Sequence, residues 1–81
     1  MKILMTRAAE RDYRDLVPEL QKRVVKQLGL LLGNRNHPSL HAKKFDEHNN
    51  VWQARVTRSH RFYFKIVGDT YAILRIIAHP K

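Results

Sequence analysis

Between Val51 and Lys81 the chain runs through three apolar stretches rich in β-branched and aromatic residues, at 51–57, 61–67 and 71–78. They are divided by a polar turn around Arg58–His60 and by Gly68-Asp69. Such runs read as consecutive strands. Because side chains alternate across a strand, Trp52, Ala54 and Val56 share one face of the first run, and Gln53, Arg55 and Thr57 the other. In the second run Phe62, Phe64 and Ile66 oppose Arg61, Tyr63 and Lys65. Strict alternation in the third places Ala72, Leu74, Ile76 and Ala78 against Tyr71, Ile73, Arg75, Ile77 and His79. One face is expected to be core, and the other gathers arginines, a tyrosine and a histidine.

What precedes these strands supplies a cover for the apolar face. Lys2–Met5 suits a short first strand. Thr6 can cap a helix over about 7–16, with Glu10 in its first turn and Ala9, Tyr13 and Leu16 on one side. Pro18 favours the start of a second helix. Its apolar stripe is Leu20, Val24, Leu28, Leu31 and Leu32, with Gln21, Lys22, Arg23, Lys26 and Gln27 opposite and a stop at Gly33-Asn34. Residues 34–50 are expected to form a long polar loop anchored by Leu40 and Phe45. The order β-α-α-β-β-β predicts one α+β domain over 1–81, a small twisted antiparallel sheet packed against an N-terminal α-hairpin. A DNA-reading helix-turn-helix is disfavoured, since strands follow the helix pair.

Composition narrows the chemistry. A net charge of +9 over 81 residues favours polyanionic partners, and four arginines lie between positions 55 and 75 among aromatics. The chain has no cysteine, which removes thiolate chemistry and disulfides. No apolar run reaches the length of a membrane span, and the MKILM start lacks a signal peptide's apolar region, so a cytoplasmic protein without membrane contact is expected. The five histidines do not have metal-ligand spacing, the three glycines form no phosphate loop, and neither Ser39 nor Ser59 sits in a nucleophile motif, so neither a metal nor a cofactor is expected.

Lys43, Lys44, Arg55, Arg58, Arg61, Tyr63, Arg75, His79 and Lys81 remain as a basic and aromatic set. Metal-independent RNA cleavage needs a base for the 2′-hydroxyl proton, cations to stabilise the phosphorane and an acid for the leaving 5′-oxygen. Arginine meets the second need with its planar fork, and a histidine such as His79 can move a proton near neutral pH. The same residues have structural readings. Arg55 and Arg61 could pair with Asp46, Glu47 or Asp69, Tyr63 could be a rim residue, and His79 could be merely exposed.

The sequence resembles the RelE/ParE superfamily of toxin–antitoxin toxins along nearly its whole length. The resemblance is carried by ERDYRDLVPELQKRV, HPSLHAKKF, VWQARVTRSHRFYFKI, GDTYAILRII and the C-terminal histidine. It implies the same small sheet with two N-terminal helices. For the RelE-like branch, including its YoeB-like and YafQ-like members, it implies a toxin that cleaves mRNA on the ribosome and so inhibits translation. For the ParE-like branch it implies a DNA gyrase inhibitor without nuclease activity. A toxin-like module that mainly binds its antitoxin is a third possibility. The resemblance implies Arg55, Arg61 and His79 as catalytic residues and Lys43, Lys44 and Lys81 on RNA, and the basic and aromatic set adds Arg58, Tyr63 and Arg75 as expected RNA-binding residues. Gln53 stands where RelE has lysine, and no tyrosine follows His79. The implied partners are a small antitoxin with an acidic or partly disordered segment, the ribosome with its mRNA, and operator DNA only through the antitoxin complex.

Overall fold

A computed structural model describes residues 1–79. The elements are β1 (Lys2–Met5), α1 (Arg7–Arg14), α2 (Pro18–Gly33), a 3₁₀ turn (Pro38–Leu40), β2 (Lys43–Asp46), β3 (Val51–Arg55), β4 (His60–Val67) and β5 (Thr70–Ala78). They form one five-stranded sheet in the order β1-β5-β4-β3-β2. The two helices lie on one of its faces, giving the expected α+β architecture. The sheet is antiparallel except at one edge, where β1 runs parallel to β5. Its other edge is β2, formed within the stretch expected to be loop.

Local chemistry sets the boundaries. The Thr6 side chain accepts from the Ala9 amide at 3.1 Å and caps α1. Proline at the first turn opens α2, and the Asn34 amide donates to the Leu30 carbonyl at its end. Between β4 and β5 the hairpin turns in two residues, with Gly68 at φ +60 in the first, a position that a side chain would strain.

The core lies between the helices and the sheet. Ala9, Val24, Leu31, Leu40, Ala54, Val56, Phe62, Phe64 and Ile73 are wholly buried there. Phe64 organises the aromatic part, stacked on Trp52 at 6.0 Å and edge-on to Tyr71 at 5.5 Å. Offset and edge-on pairs of this kind add roughly 0.5–1.5 kcal/mol to the burial of the rings.

The phase expected for β3 and β4 holds. In β5 it holds only beyond Leu74. Phe64 pairs with Ile73, but Tyr63 pairs with Arg75, so Leu74 is an extra residue in β5. This bulge moves Tyr71 and Ile73 onto the covered face, where alternation had put Ala72 and Leu74, and then returns Ile76 to the same face. In α2 the buried stripe includes Gln27 and excludes Leu32, which is 45% exposed. Phe45 is no anchor. It sits at a second bulge, in β2, and is 60% exposed.

Candidate functional site

The uncovered face of the sheet carries its side chains in rows fixed by strand register. One row is Lys43, Gln53, Tyr63 and Arg75, from β2 through β5. The next is Arg55, Arg61 and Ile77. Over these rows lie two adjoining depressions that share Gln53. A cleft of about 330 Å³ is lined by His41, Ala42, Lys43, Gln53, Arg55 and Arg61. An apolar hollow of about 370 Å³ is lined by Phe45, Val51, Tyr63, Leu74, Ile77 and His79, with Arg75 and Gln53 at its margins. The bulge contributes to the hollow directly, since it turns Leu74 and Arg75 to this side together.

Arg55 and Arg61 face each other as a cross-strand pair. Like charges in that position repel. Burial first, and then the charge of Arg55, hold the Arg61 guanidinium below its ordinary pKa, with Tyr63 acting weakly the other way. Among the described residues no carboxylate pairs with either. Among the described residues the ion pairs are Lys2–Asp69, Lys44–Glu47 and Arg75–Asp12, and Asp46 is held by Asn49. Arg61 donates from Nη1 alone, to the carbonyls of Thr57 at 2.6 Å, His60 at 3.0 Å and Arg58 at 3.3 Å. The β3–β4 turn thus fixes one corner of the guanidinium and leaves its other nitrogens for the cleft. The Nε of Arg55 is buried with no hydrogen-bond partner. An orphaned buried donor costs about 1–3 kcal/mol, and two oxygens of a bound anion would remove that cost.

The strand bearing Arg55 is held from beneath. Gln27, wholly buried on α2, donates through Nε2 to the Arg55 carbonyl at 2.9 Å and to the Ser39 carbonyl at 3.2 Å. One amide therefore fastens both the strand end and the 3₁₀ turn before β2. Sequence periodicity placed Gln27 on the polar side of α2. Its spacing from Leu20, Val24 and Leu31 was the available signal, since those positions make up a helical stripe.

The remaining expected residues are dispersed. Lys43 lines the arginine cleft, but Lys44 lies on the opposite face, 5.3 Å from the Trp52 ring centroid, with Arg35 also 5.3 Å from it. Tyr63 is 9% exposed, edge-on to Phe45 at 4.9 Å. His79 lines the hollow and not the cleft, and its amide donates to the Ser59 carbonyl at 2.7 Å. Arg58 is an exposed turn residue. Arg75 is engaged with Asp12 of α1, Nε to Oδ2 at 2.7 Å and Nη2 to Oδ1 at 3.1 Å. Lys81 lies outside the described residues. His41, a residue outside the expected basic and aromatic set, is the histidine that lines the cleft.

No protein-family model and no curated protein sequence matches the chain. Solved structures do. A YoeB/ParE toxin from Agrobacterium tumefaciens superposes with a TM-score of 0.83 at 15% identity, over 99% of this chain and 100% of that one. A chain of the RelB–RelE antitoxin–toxin complex from Methanococcus jannaschii gives 0.76 at 18% identity, over 93% and 88%. A chain of the RelBE2 toxin–antitoxin complex from Mycobacterium tuberculosis gives 0.75 at 24% identity, over 96% of each. The backbone arrangement of sheet and helices therefore recurs, and the chain has the fold of the RelE/ParE toxins.

Proposed function

We propose that this protein is the toxin of a type II toxin–antitoxin pair and that it inhibits translation by cleaving mRNA on the ribosome, using the arginine cleft to hold the scissile phosphate. The observation that carries the reading is the pair Arg55–Arg61, facing each other with no carboxylate partner among the described residues and with a buried N–H unsatisfied. Two guanidinium forks at one point suit a phosphate that gains charge as it becomes a phosphorane, where preorganised donors are worth most. Lys43 adds a third cation at the cleft wall. The adjoining hollow, floored by Tyr63 and edged by Phe45, offers aromatic surface against which a base beside that phosphate can stack.

The same face suits the proposed antitoxin. An acidic segment laid along the groove would neutralise Lys43, Arg55 and Arg61 and cover the exposed Phe45 ring, which blocks the site by occupancy. Operator DNA would be bound only through that complex.

Induced expression supplies the test. Wild-type protein is expected to stop protein synthesis and leave mRNA cut at discrete positions when mapped by primer extension. Arg61→Ala should lower cutting by about 10²–10³-fold, the scale for losing a transition-state donor. Unimpaired growth, or arrest with intact mRNA, would sink the nuclease reading. Arrest accompanied by DNA breaks and altered supercoiling would replace it with gyrase inhibition.

A further inference from the structure

We infer that His41 is the proton acceptor of the arginine cleft, taking the 2′-hydroxyl proton as RNA is cut there, an inference that rests on the nuclease reading above. Of the residues lining the cleft, Ala42 and Gln53 do not titrate, and Lys43, Arg55 and Arg61 are cationic side chains suited to holding phosphate. Only the imidazole brings to the cleft a ring nitrogen that can accept a proton.

The other histidines are placed elsewhere. His37 uses Nδ1 to accept from the Ser39 amide at 3.1 Å. His60 is in register with Ala78 and one residue from Arg61, so its side chain leaves β4 on the side away from the arginines, and its Nδ1 meets Ser59 Oγ at 2.9 Å. His48 stands in the turn before β3, at the far end of that strand from Arg55. His79 lines the apolar hollow.

The location of His41 is built by the fold. It closes the 3₁₀ turn with φ 47, its amide donating to the Pro38 carbonyl at 3.3 Å. Leu40, wholly buried, pins the turn to the core, and Gln27 ties the turn to Arg55. The Lys43–Gln53 pairing, followed back two residues, brings His41 alongside Arg55. The residue is thus fixed through its backbone at the end of the row formed by the two arginines, with its exposed side chain at the cleft wall.

In the reaction, the 2′-oxygen forms a bond to the adjacent phosphorus and its proton passes to His41. The bond from phosphorus to the 5′-oxygen breaks, and that oxygen takes a proton from water. The products are a 2′,3′-cyclic phosphate and a 5′-hydroxyl end, and the imidazolium then returns its proton to solvent.

The test is single-turnover cleavage of mRNA on programmed ribosomes by the purified chain. Two RNAs are compared, one with the natural 5′-oxygen and one with a bridging sulfur, a leaving group that needs no acid. His41→Asn and His41→Gly both suit a left-handed backbone, so either keeps the test alive if the other fails to fold. Each should slow cleavage of both RNAs by about 10²–10⁴-fold, with unchanged RNA affinity and melting temperature. His48→Asn should cut like wild type. The charged groups facing His41 in the cleft are Lys43, Arg55 and Arg61, His37 shares its turn, and α2 contributes the neutral Gln27. Variants that cut within about threefold of wild type overturn the assignment while leaving the nuclease reading intact. A defect rescued by the sulfur leaving group makes His41 the acid and overturns its role as base. Failure of the wild type to cut brings down the nuclease reading and this inference with it.

Discussion

Two polar side chains reach from the helices to the sheet, and they treat the arginines near them in opposite ways. Alongside β5, Asp12 of α1 accepts from the Ile76 amide at 2.9 Å and also from two of the three guanidinium nitrogens of Arg75. Beneath β3, Gln27 of α2 takes hold of the Ser39 and Arg55 carbonyls and the Ser39 hydroxyl, and leaves the Arg55 guanidinium alone. The first region uses its arginine to close a structural gap. β1 pairs with β5 only as far as Ile73, and past that point Thr6 Oγ1 donates to the Leu74 carbonyl while Asp12 satisfies the next donor. The second region fixes the backbone and gives its guanidinium groups no ion-pair partner among the described residues. Three arginines set among aromatics look alike in sequence, and what separates them is which helix side chain arrives.

The largest stability effect should come from the Gln27 end. Gln27→Leu keeps the volume roughly constant but orphans the carbonyls of Ser39 and Arg55 in a buried place. A loss of about 2–4 kcal/mol is expected in urea unfolding, since each unsatisfied buried group costs about 1–3. Because the same amide holds the His41 turn against β3, cleavage should fall as well, even where the variant is fully folded. A variant as stable and as active as wild type would mean that Gln27 is not what organises the cleft.

Asp12→Ala tests the other end and should cost less, about 1–2 kcal/mol, the usual result of orphaning a partly buried donor. It also has a pH signature. Burial by itself would raise the Asp12 pKa, but the hydrogen bonds from Arg75 and the Ile76 amide, with the charges of Arg75 and Arg11, outweigh it and hold the carboxyl below 3.8. A carboxyl depressed in the folded state stabilises the fold above its unfolded pKa and loses that contribution as pH falls through the folded value. Wild type should therefore lose its advantage over Asp12→Ala as pH drops below about 3.8, and the two stability curves should converge. Parallel curves through that range would show that Asp12 contributes packing rather than charge.

The local parts of this arrangement are legible in the sequence. The α2 start at Pro18, the Gly68-Asp69 hairpin and the alternation of Trp52, Ala54, Phe62 and Phe64 follow from rules that operate over a few residues, and the three arginines stood out among their aromatic neighbours. What escaped depends on partners distant in the chain. Lys43–Asp46 contains two lysines and an aspartate and pairs as a strand only because β3 presents an edge to it. The bulge at Leu74 is a feature of the β4–β5 pairing and has no mark in the residues of β5 alone. Asp12 and Arg75 are 63 positions apart. His41 reaches the cleft through a turn whose anchor, Gln27, looked like a solvent-facing helix residue. Residue types suited to binding phosphate were thus visible beforehand, whereas which of them remain unpaired was not.

The smallest expected effect has the opposite sign and bears most directly on that difference. If the Arg55–Arg61 pair is kept for a ligand, the ligand-free protein carries the cost of two like charges in register and an unsatisfied Nε. Arg55→Met preserves the length and the alkyl packing and removes both costs, so it should stabilise the free protein by about 1 kcal/mol. The denaturation midpoint should rise with no change in slope. Inorganic phosphate should raise the melting temperature of wild type and leave the variant almost unmoved, because a ligand stabilises only the state that binds it. Arg75→Met, by contrast, breaks a satisfied pair and should not stabilise. A protein in which both methionine variants lose stability, with no response to phosphate, would have arginines that all serve the fold, and the distinction between the two regions would disappear.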